Sequence, residues 1–150
     1  LVHIALWEPE IPPNTGNVAR LCAATGSPLH LIGRLGFRLD ERELLRAGLD
    51  YWPAVELHRH DTLEQFEANF AGRVCCFTAR GSVPYTAAEF HEGDCLLFGS
   101  ESRGLPPSAV KCYAERTFVI PMPGGKVRSL NLATAVGIVL YEALRQLHKW

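Results

Sequence analysis

The chain carries almost no net charge, its 15 Lys and Arg facing 16 Asp and Glu for a formal −1 at pH 7. That balance excludes a protein that coats nucleic acid through bulk charge, although local patches or dimerisation can still build a basic surface. A membrane-spanning run is also missing. Residues 129–141 come nearest, but they are 13 residues long and include Asn131 and Thr134, whereas a spanning helix needs about 20 apolar residues. The apolar run at 2–6 is short and closed by Trp7, Glu8 and Pro9, so no secretory leader is expected. The five cysteines (Cys22, Cys75, Cys76, Cys95, Cys112) are odd in number and contain no C-x-x-C pair. Neither a disulfide framework nor a zinc site is indicated, no metal is expected, and a reducing cytoplasm fits best. Internal repeats, low-complexity tracts and a Gly/Ser/Pro-rich linker are absent too, so residues 1–150 read as a single domain.

What is present is apolar sequence in an α/β rhythm. Hydrophobic residues make up 47% of 150 positions, enough for a real core. Short β-like runs recur at 2–6, 29–32, 54–57, 74–78, 95–98 and 117–120, separated by helical or turn-rich sequence. A helix entered through Pro12-Pro13-Asn14, with Asn14 as its cap, should end near Gly26, with Val18, Leu21, Cys22 and Thr25 facing in. Asn14, Asn17 and Arg20 then fall three apart on another side, near the positive end of the helix dipole, where an anion is well held. Residues 40–46 read as a short charged helix and 61–70 as an amphipathic one with Leu63, Phe66 and Phe70 inward. The last helix, from Ser129 to about His148, is apolar on nearly every side until Glu142, which implies cover beyond one sheet face, such as a partner subunit.

Several familiar motifs fail. Pro123-Gly124-Gly125-Lys126 is not a phosphate loop, because a Walker A pattern needs Gly where Ile120 stands and Ser or Thr where Val127 stands. A nucleophile elbow centred on Ser102 would need Gly at Ser100, and no Gly-x-Gly-x-x-Gly follows the first strand. His58, Arg59 and His60 form a basic cluster that a solvated edge explains.

Three polar segments follow core elements and together carry chemistry: Pro13-Asn14-Thr15-Gly16-Asn17-Val18-Ala19-Arg20, then Leu97-Phe98-Gly99-Ser100-Glu101-Ser102-Arg103-Gly104-Leu105-Pro106, and Ile120-Pro121-Met122 leading to Arg128-Ser129-Leu130-Asn131. Gly99 and Gly104 let backbone come close to a ligand, and Pro106-Pro107 starts a short helix. Ser129 is placed to cap the final helix. Asn131, expected just inside it, needs a partner, since an unpaired buried amide costs about 1–3 kcal/mol.

These segments resemble the three motifs of the SPOUT methyltransferase superfamily, in its branch of RNA ribose 2'-O-methyltransferases. The likeness runs from Ile4 to about Leu147. Trp7-Glu8-Pro9-Glu10-Ile11-Pro12-Pro13-Asn14-Thr15-Gly16-Asn17 and Arg46-Ala47-Gly48-Leu49-Asp50-Tyr51 are most similar to the small tRNA (cytidine/uridine-34) 2'-O-methyltransferases. The resemblance implies an α/β fold, a mostly parallel sheet flanked by helices with a C-terminal trefoil knot, and a homodimer whose interface completes the site. It also implies S-adenosylmethionine as methyl donor, S-adenosylhomocysteine as product and tRNA as substrate. Carried over by position, Arg20, Asn14, Ser129 and Asn131 take the catalytic roles. Phe77, Thr78, Gly99, Glu101, Gly104, Ile120, Met122, Ser129 and Leu130 would hold the cofactor. The loop 123–127 is slightly longer than the family pattern. Arg38, Arg42 and Arg46, at four-residue steps, with Arg103, Lys126 and Arg128 beside the cofactor loops, are the candidate RNA contacts; a solvated face is the alternative. Two other functions stay open on sequence alone: a methyltransferase for another tRNA or rRNA ribose, and a non-catalytic RNA-binding module of the same fold.

Overall fold

The apolar runs assemble side by side into one sheet. The computed structural model describes residues 1–38 and 52–150. In it, strands β1 (His3–Trp7), β2 (Leu29–Ile32), β3 (Leu57–His60), β4 (Val74–Phe77), β5 (Cys95–Phe98) and β6 (Thr117–Phe118) lie in the order β3-β2-β1-β5-β4-β6. Every pairing among them is parallel. All positions of β2, β4 and β5 are buried, as expected of strands covered on both faces. The cover comes from α1 (Pro12–Thr25), α2 (Leu63–Asn69), α3 (Pro107–Cys112) and α4 (Leu132–His148). Alternation along the strands divides the core in two. Ile4, Leu6, Leu96 and Phe98 pack with Val18 and Cys22 of α1 and Val136, Val139 and Leu140 of α4. Ala5, Cys95 and Leu97 face the other way, onto Leu63 and Phe66 of α2 and Ala109 of α3.

Helix α1 ends where the sequence indicates, with Gly26 left-handed at φ 73°. Its start differs. The N-cap is Ile11, which makes no side-chain cap bond, and Asn14 lies within the first turn, so the amide is released for a longer-range role. Helix α4 likewise starts later than expected, at Leu132, with Asn131 rather than Ser129 as its cap. Asn131 is therefore exposed and not inside an apolar helix. The third strand is displaced too: Trp52–Ala54 forms a 3-10 turn around Pro53, and the strand begins at Leu57. The expected helix at 40–46, with Arg42, Arg46 and the 46–51 signature, lies outside the described residues. Arg38 is exposed in an irregular stretch.

Each edge strand of the sheet is secured by contacts of its own. The end of β6 is held on both sides by loop 78–85: Thr78 N donates to Phe118 O at 3.0 Å, Val119 N to Val83 O at 2.8 Å and Tyr85 N to Val119 O at 2.9 Å. Gly81 presses on the same stretch, since a Cβ there would meet the Phe118 carbonyl carbon at 3.0 Å.

At the opposite edge, His58-Arg59-His60 forms an edge strand, with Arg59 exposed and His58 half-buried as a solvated edge would have them, but with His60 turned into the core. His3 Nδ1 and His30 Nε2 are 2.9 Å apart, and His30 Nδ1 and His60 Nε2 3.0 Å. His58 stacks on His30 at 4.8 Å, with Phe66 and Phe70 edge-on. Burial, with His3, His58 and His60 alongside, pushes the His30 pKa down to about 3. Burial also lowers His3, against the pull of Glu56, and His60, which faces His58 and Arg59. A histidine whose folded pKa is depressed leaves the unfolded chain binding more protons between that value and about 6.5, so stability falls as pH drops through this window. Going from pH 7 to pH 5 should cost about 2 kcal/mol through His30 alone. Urea unfolding midpoints at the two pH values measure this. The drop should shrink in His30→Phe, and a wild-type midpoint that does not move would exclude a buried neutral cluster.

Candidate active site

The carboxyl ends of β1, β4, β5 and β6 open on one side of the sheet, beside the point where β1 separates strands running outward in two directions. Ligands bind at such switch points because loops diverge there and leave a crevice. The crevice here is a cavity of about 560 Å³, in the range of small-molecule sites. Phe77, Thr78, Gly99, Glu101, Gly104, Ile120, Met122, Ser129 and Leu130 all line it, as do Asn14, Asn131, Arg103 and Arg128. Arg20 is exposed on α1 and is not among the lining residues, and neither is Lys126 in the turn that Gly125 N closes on Met122 O. Sequence reasoning missed Arg80, although its position just after β4 could have flagged it, and it placed Phe98 in the second segment without assigning it to the cofactor.

A single carboxylate organises the floor. Glu101 Oε1 accepts from Glu10 N and Oε2 from Ile11 N, each at 2.9 Å, and Oε2 also accepts from Asn14 Nδ2 at 3.2 Å. Both backbone donors belong to the residues just ahead of α1, whose first two residues are prolines without an N–H, so the carboxylate sits beside the positive end of the helix dipole. Asn14 Oδ1 accepts from Asn131 Nδ2 at 2.9 Å, and Asn131 Oδ1 accepts from Thr134 N at 3.2 Å. Three distant segments are joined in one line, and the partner expected for Asn131 is Asn14. With its oxygens engaged in this way, Glu101 braces the cavity wall.

The walls suit a ligand with an apolar ring and a chain of polar groups. Phe77, Phe98, Ile120, Met122 and Leu130 supply apolar surface, and Thr78 and Ser129 supply hydroxyls. The turn after β5 comes close only because Gly99 has no side chain: a Cβ there would sit 2.0 Å from the carbonyl carbon of Gly104 and 2.2 Å from Leu105 N. Gly104, at φ 67°, exchanges backbone bonds with Ser100 and closes the turn. At the rim, the Arg103 guanidinium lies 5.0 Å from the Trp7 ring centroid and 3.0 Å from Glu8 Oε1. Among the described residues, no group of three or more His, Cys, Asp or Glu is arranged to hold a metal, and no helix is long and apolar enough to cross a membrane.

Residues 1–141 match the profile of the SpoU rRNA Methylase family. The chain is 46% identical to the tRNA (cytidine(34)-2'-O)-methyltransferase of Escherichia coli K12, over 98% of this chain and 94% of that protein. It is 48% identical to the protein of the same name from Aeromonas hydrophila, over 98% and 95%. A solved structure described as giving structural insights into the 2-OH methylation of C/U34 on tRNA superposes with TM-score 0.91 at 55% identity, covering 99% of this chain and 97% of that one. The AdoMet-bound rRNA methyltransferase of Sinorhizobium meliloti superposes with TM-score 0.84 at 31% identity, over 97% of this chain and 56% of that chain.

Proposed function

The chain belongs to the SpoU rRNA Methylase family, and from that premise we propose that it methylates the ribose 2'-hydroxyl of the wobble nucleotide, cytidine or uridine 34, of tRNA. S-adenosylmethionine is the donor. The observation that carries the reading is the convergence of Asn14, Glu101 and Asn131 on one cavity that also presents apolar side chains, the hydroxyls of Thr78 and Ser129, and the close-approach turn at Gly99. Near-full-length identity to proteins named for this reaction supports the choice of nucleotide.

When bound, the donor supplies an electrophilic sulfonium methyl, so the protein's tasks are alignment and relief of the hydroxyl proton. The apolar walls would take the adenine ring, and backbone groups of the 99–104 turn and of residues 120–130 would take its polar edge. Asn14 and Asn131 orient the hydroxyl side of the cavity. Arg20 acts electrostatically: a guanidinium, with a pKa above about 12, is a poor base but a strong partner for the phosphate beside the target ribose and for the developing alkoxide.

Because Arg20 does not line the cavity of its own chain, we assign the complete site to a homodimer in which a second copy supplies it. Helix α4 supports this, leaving Tyr141 45% exposed at the end of a stretch, residues 132–141, whose one polar side chain besides that tyrosine is Thr134. The grip of loop 78–85 on β6 supports the threaded path of a trefoil knot. Arg103 and Arg128 at the cavity, with Lys126 and Arg38 further out, are the RNA contacts of this reading. It places the protein in the cytoplasm with its substrate.

The test is incubation with labelled donor and unmodified tRNA, followed by nucleoside mapping. Label in 2'-O-methylcytidine or 2'-O-methyluridine at position 34 is the expected result. Label at another ribose would reassign the substrate, and absence of transfer with intact RNA binding would make the chain a binding module.

A further inference from the structure

Glu10 does not line the cavity, yet its Oε1 accepts from Ser102 N at 2.9 Å and from Ser102 Oγ at 2.6 Å. The arrangement is reciprocal. The Glu101 side chain holds the backbone N–H of Glu10, and the Glu10 side chain holds the backbone N–H of the residue after Glu101. The two loops are therefore clasped from both directions, by residues 92 positions apart.

The segment that carries Glu10 is itself fixed from behind. Gly36 N donates to Pro9 O at 2.9 Å, and a Cβ on Gly36 would lie 2.7 Å from Glu10 Cα, so that turn is pressed onto the backbone. Glu8, in the left-handed region at φ 48°, holds Arg103 through Oε1 and Arg34 N through Oε2. A non-glycine residue at positive φ is strained and persists only where its surroundings over-determine it. Hydrogen bonds from Ser102 keep the Glu10 carboxyl below its ordinary range, so it is ionised at neutral pH and its bonds are charge-assisted. The 100–104 turn keeps its internal shape through the mutual backbone bonds of Ser100 and Gly104. What the Glu10 clasp adds is the placement of that turn relative to α1.

We propose that Glu10 is a positioning residue for methyl transfer, acting through Ser102 to hold the 100–104 turn at the distance from α1 where Glu101, Asn14 and Asn131 meet. The inference rests on the function proposed above. Glu10 touches neither donor nor ribose, and its effect travels through one wall of the cavity.

The experiment compares Glu10→Ala, Glu10→Gln, Ser102→Ala and the Glu10→Ala/Ser102→Ala double variant by amide hydrogen exchange at Ser102, calorimetric affinity for S-adenosylhomocysteine, and kcat and KM. In Glu10→Ala, exchange at Ser102 should rise and affinity should weaken about tenfold each, the worth of a charge-assisted hydrogen bond, with Tm within about 2 °C of wild type. Glu10→Gln keeps an accepting oxygen and should recover most of the loss. Ser102 lines the cavity, but on this proposal its hydroxyl acts through the Glu10 carboxylate, so the double variant should be no worse than Glu10→Ala. Unchanged affinity and kcat in Glu10→Ala, a glutamine variant as poor as alanine, or additive losses in the double variant would each overturn the proposal. If wild type binds S-adenosylhomocysteine but leaves position 34 unmethylated, only the substrate reading fails, and exchange and affinity still decide on Glu10. If wild type does not bind it at all, both fail.

Discussion

Arg20→Ala is expected to lower single-turnover methylation about 10²- to 10³-fold, the usual effect of removing one preorganised electrostatic contact to a developing oxyanion. Affinity for S-adenosylhomocysteine should stay within about twofold, because on this reading Arg20 meets the substrate phosphate and the developing alkoxide and not the cofactor. The split between the two readouts is the informative part. Arg20→Lys retains the charge but loses the planar fork that matches a phosphate, so it should recover only part of the rate. Parallel loss of turnover and cofactor affinity in Arg20→Ala would make the residue structural and remove it from the reaction.

Gly99→Ala is expected to have the largest effect on stability. The added methyl would meet the backbone of Gly104 and Leu105 at 2.0–2.5 Å, and backbone cannot rotate away as a side chain can. Relief requires the turn to move off β5, at a cost of about 3 kcal/mol or more, read as a fall in Tm of about 10 °C. The displaced turn carries Glu101, so kcat/KM should fall about 10²-fold as the site loses its alignment. Gly104→Ala is the control. Nothing lies within 4 Å of its missing Cβ, and only the φ of 67° resists substitution, for about 1–2 kcal/mol. A Gly99→Ala protein with wild-type Tm would mean that the turn is not held as tightly as its contacts indicate.

The sheet was largely legible in the sequence because β4 and β5 are runs of apolar residues with no competing pattern. His58-Arg59-His60 was not, since local composition reads as solvent-facing. The strand exists because His60 meets His30 and Phe66 across the fold. Asn14 was legible as a functional position but not in its role: a helix-start asparagine suggests a cap, and only the approach of Glu101 and Asn131 turns it into a cross-link. Ser129 lost the cap of α4 to Asn131 because the helix begins at Leu132 and the Asn131 side chain accepts from Thr134 N. Glu10 was legible as part of the 7–17 signature but not in its role, because its partner Ser102 is 92 positions away.

The hold of loop 78–85 on residues 118 and 119 bears on how the protein is made. During synthesis the loop leaves the ribosome before residues 118 and 119 do, so these hydrogen bonds cannot form when the loop emerges. Those contacts are non-local and close only after chain-closure entropy has been spent. Completion of this edge therefore waits on residues 117–119, and a nascent chain stalled ahead of β6 would leave the 78–85 loop without its hydrogen-bond partners, for chaperones to protect.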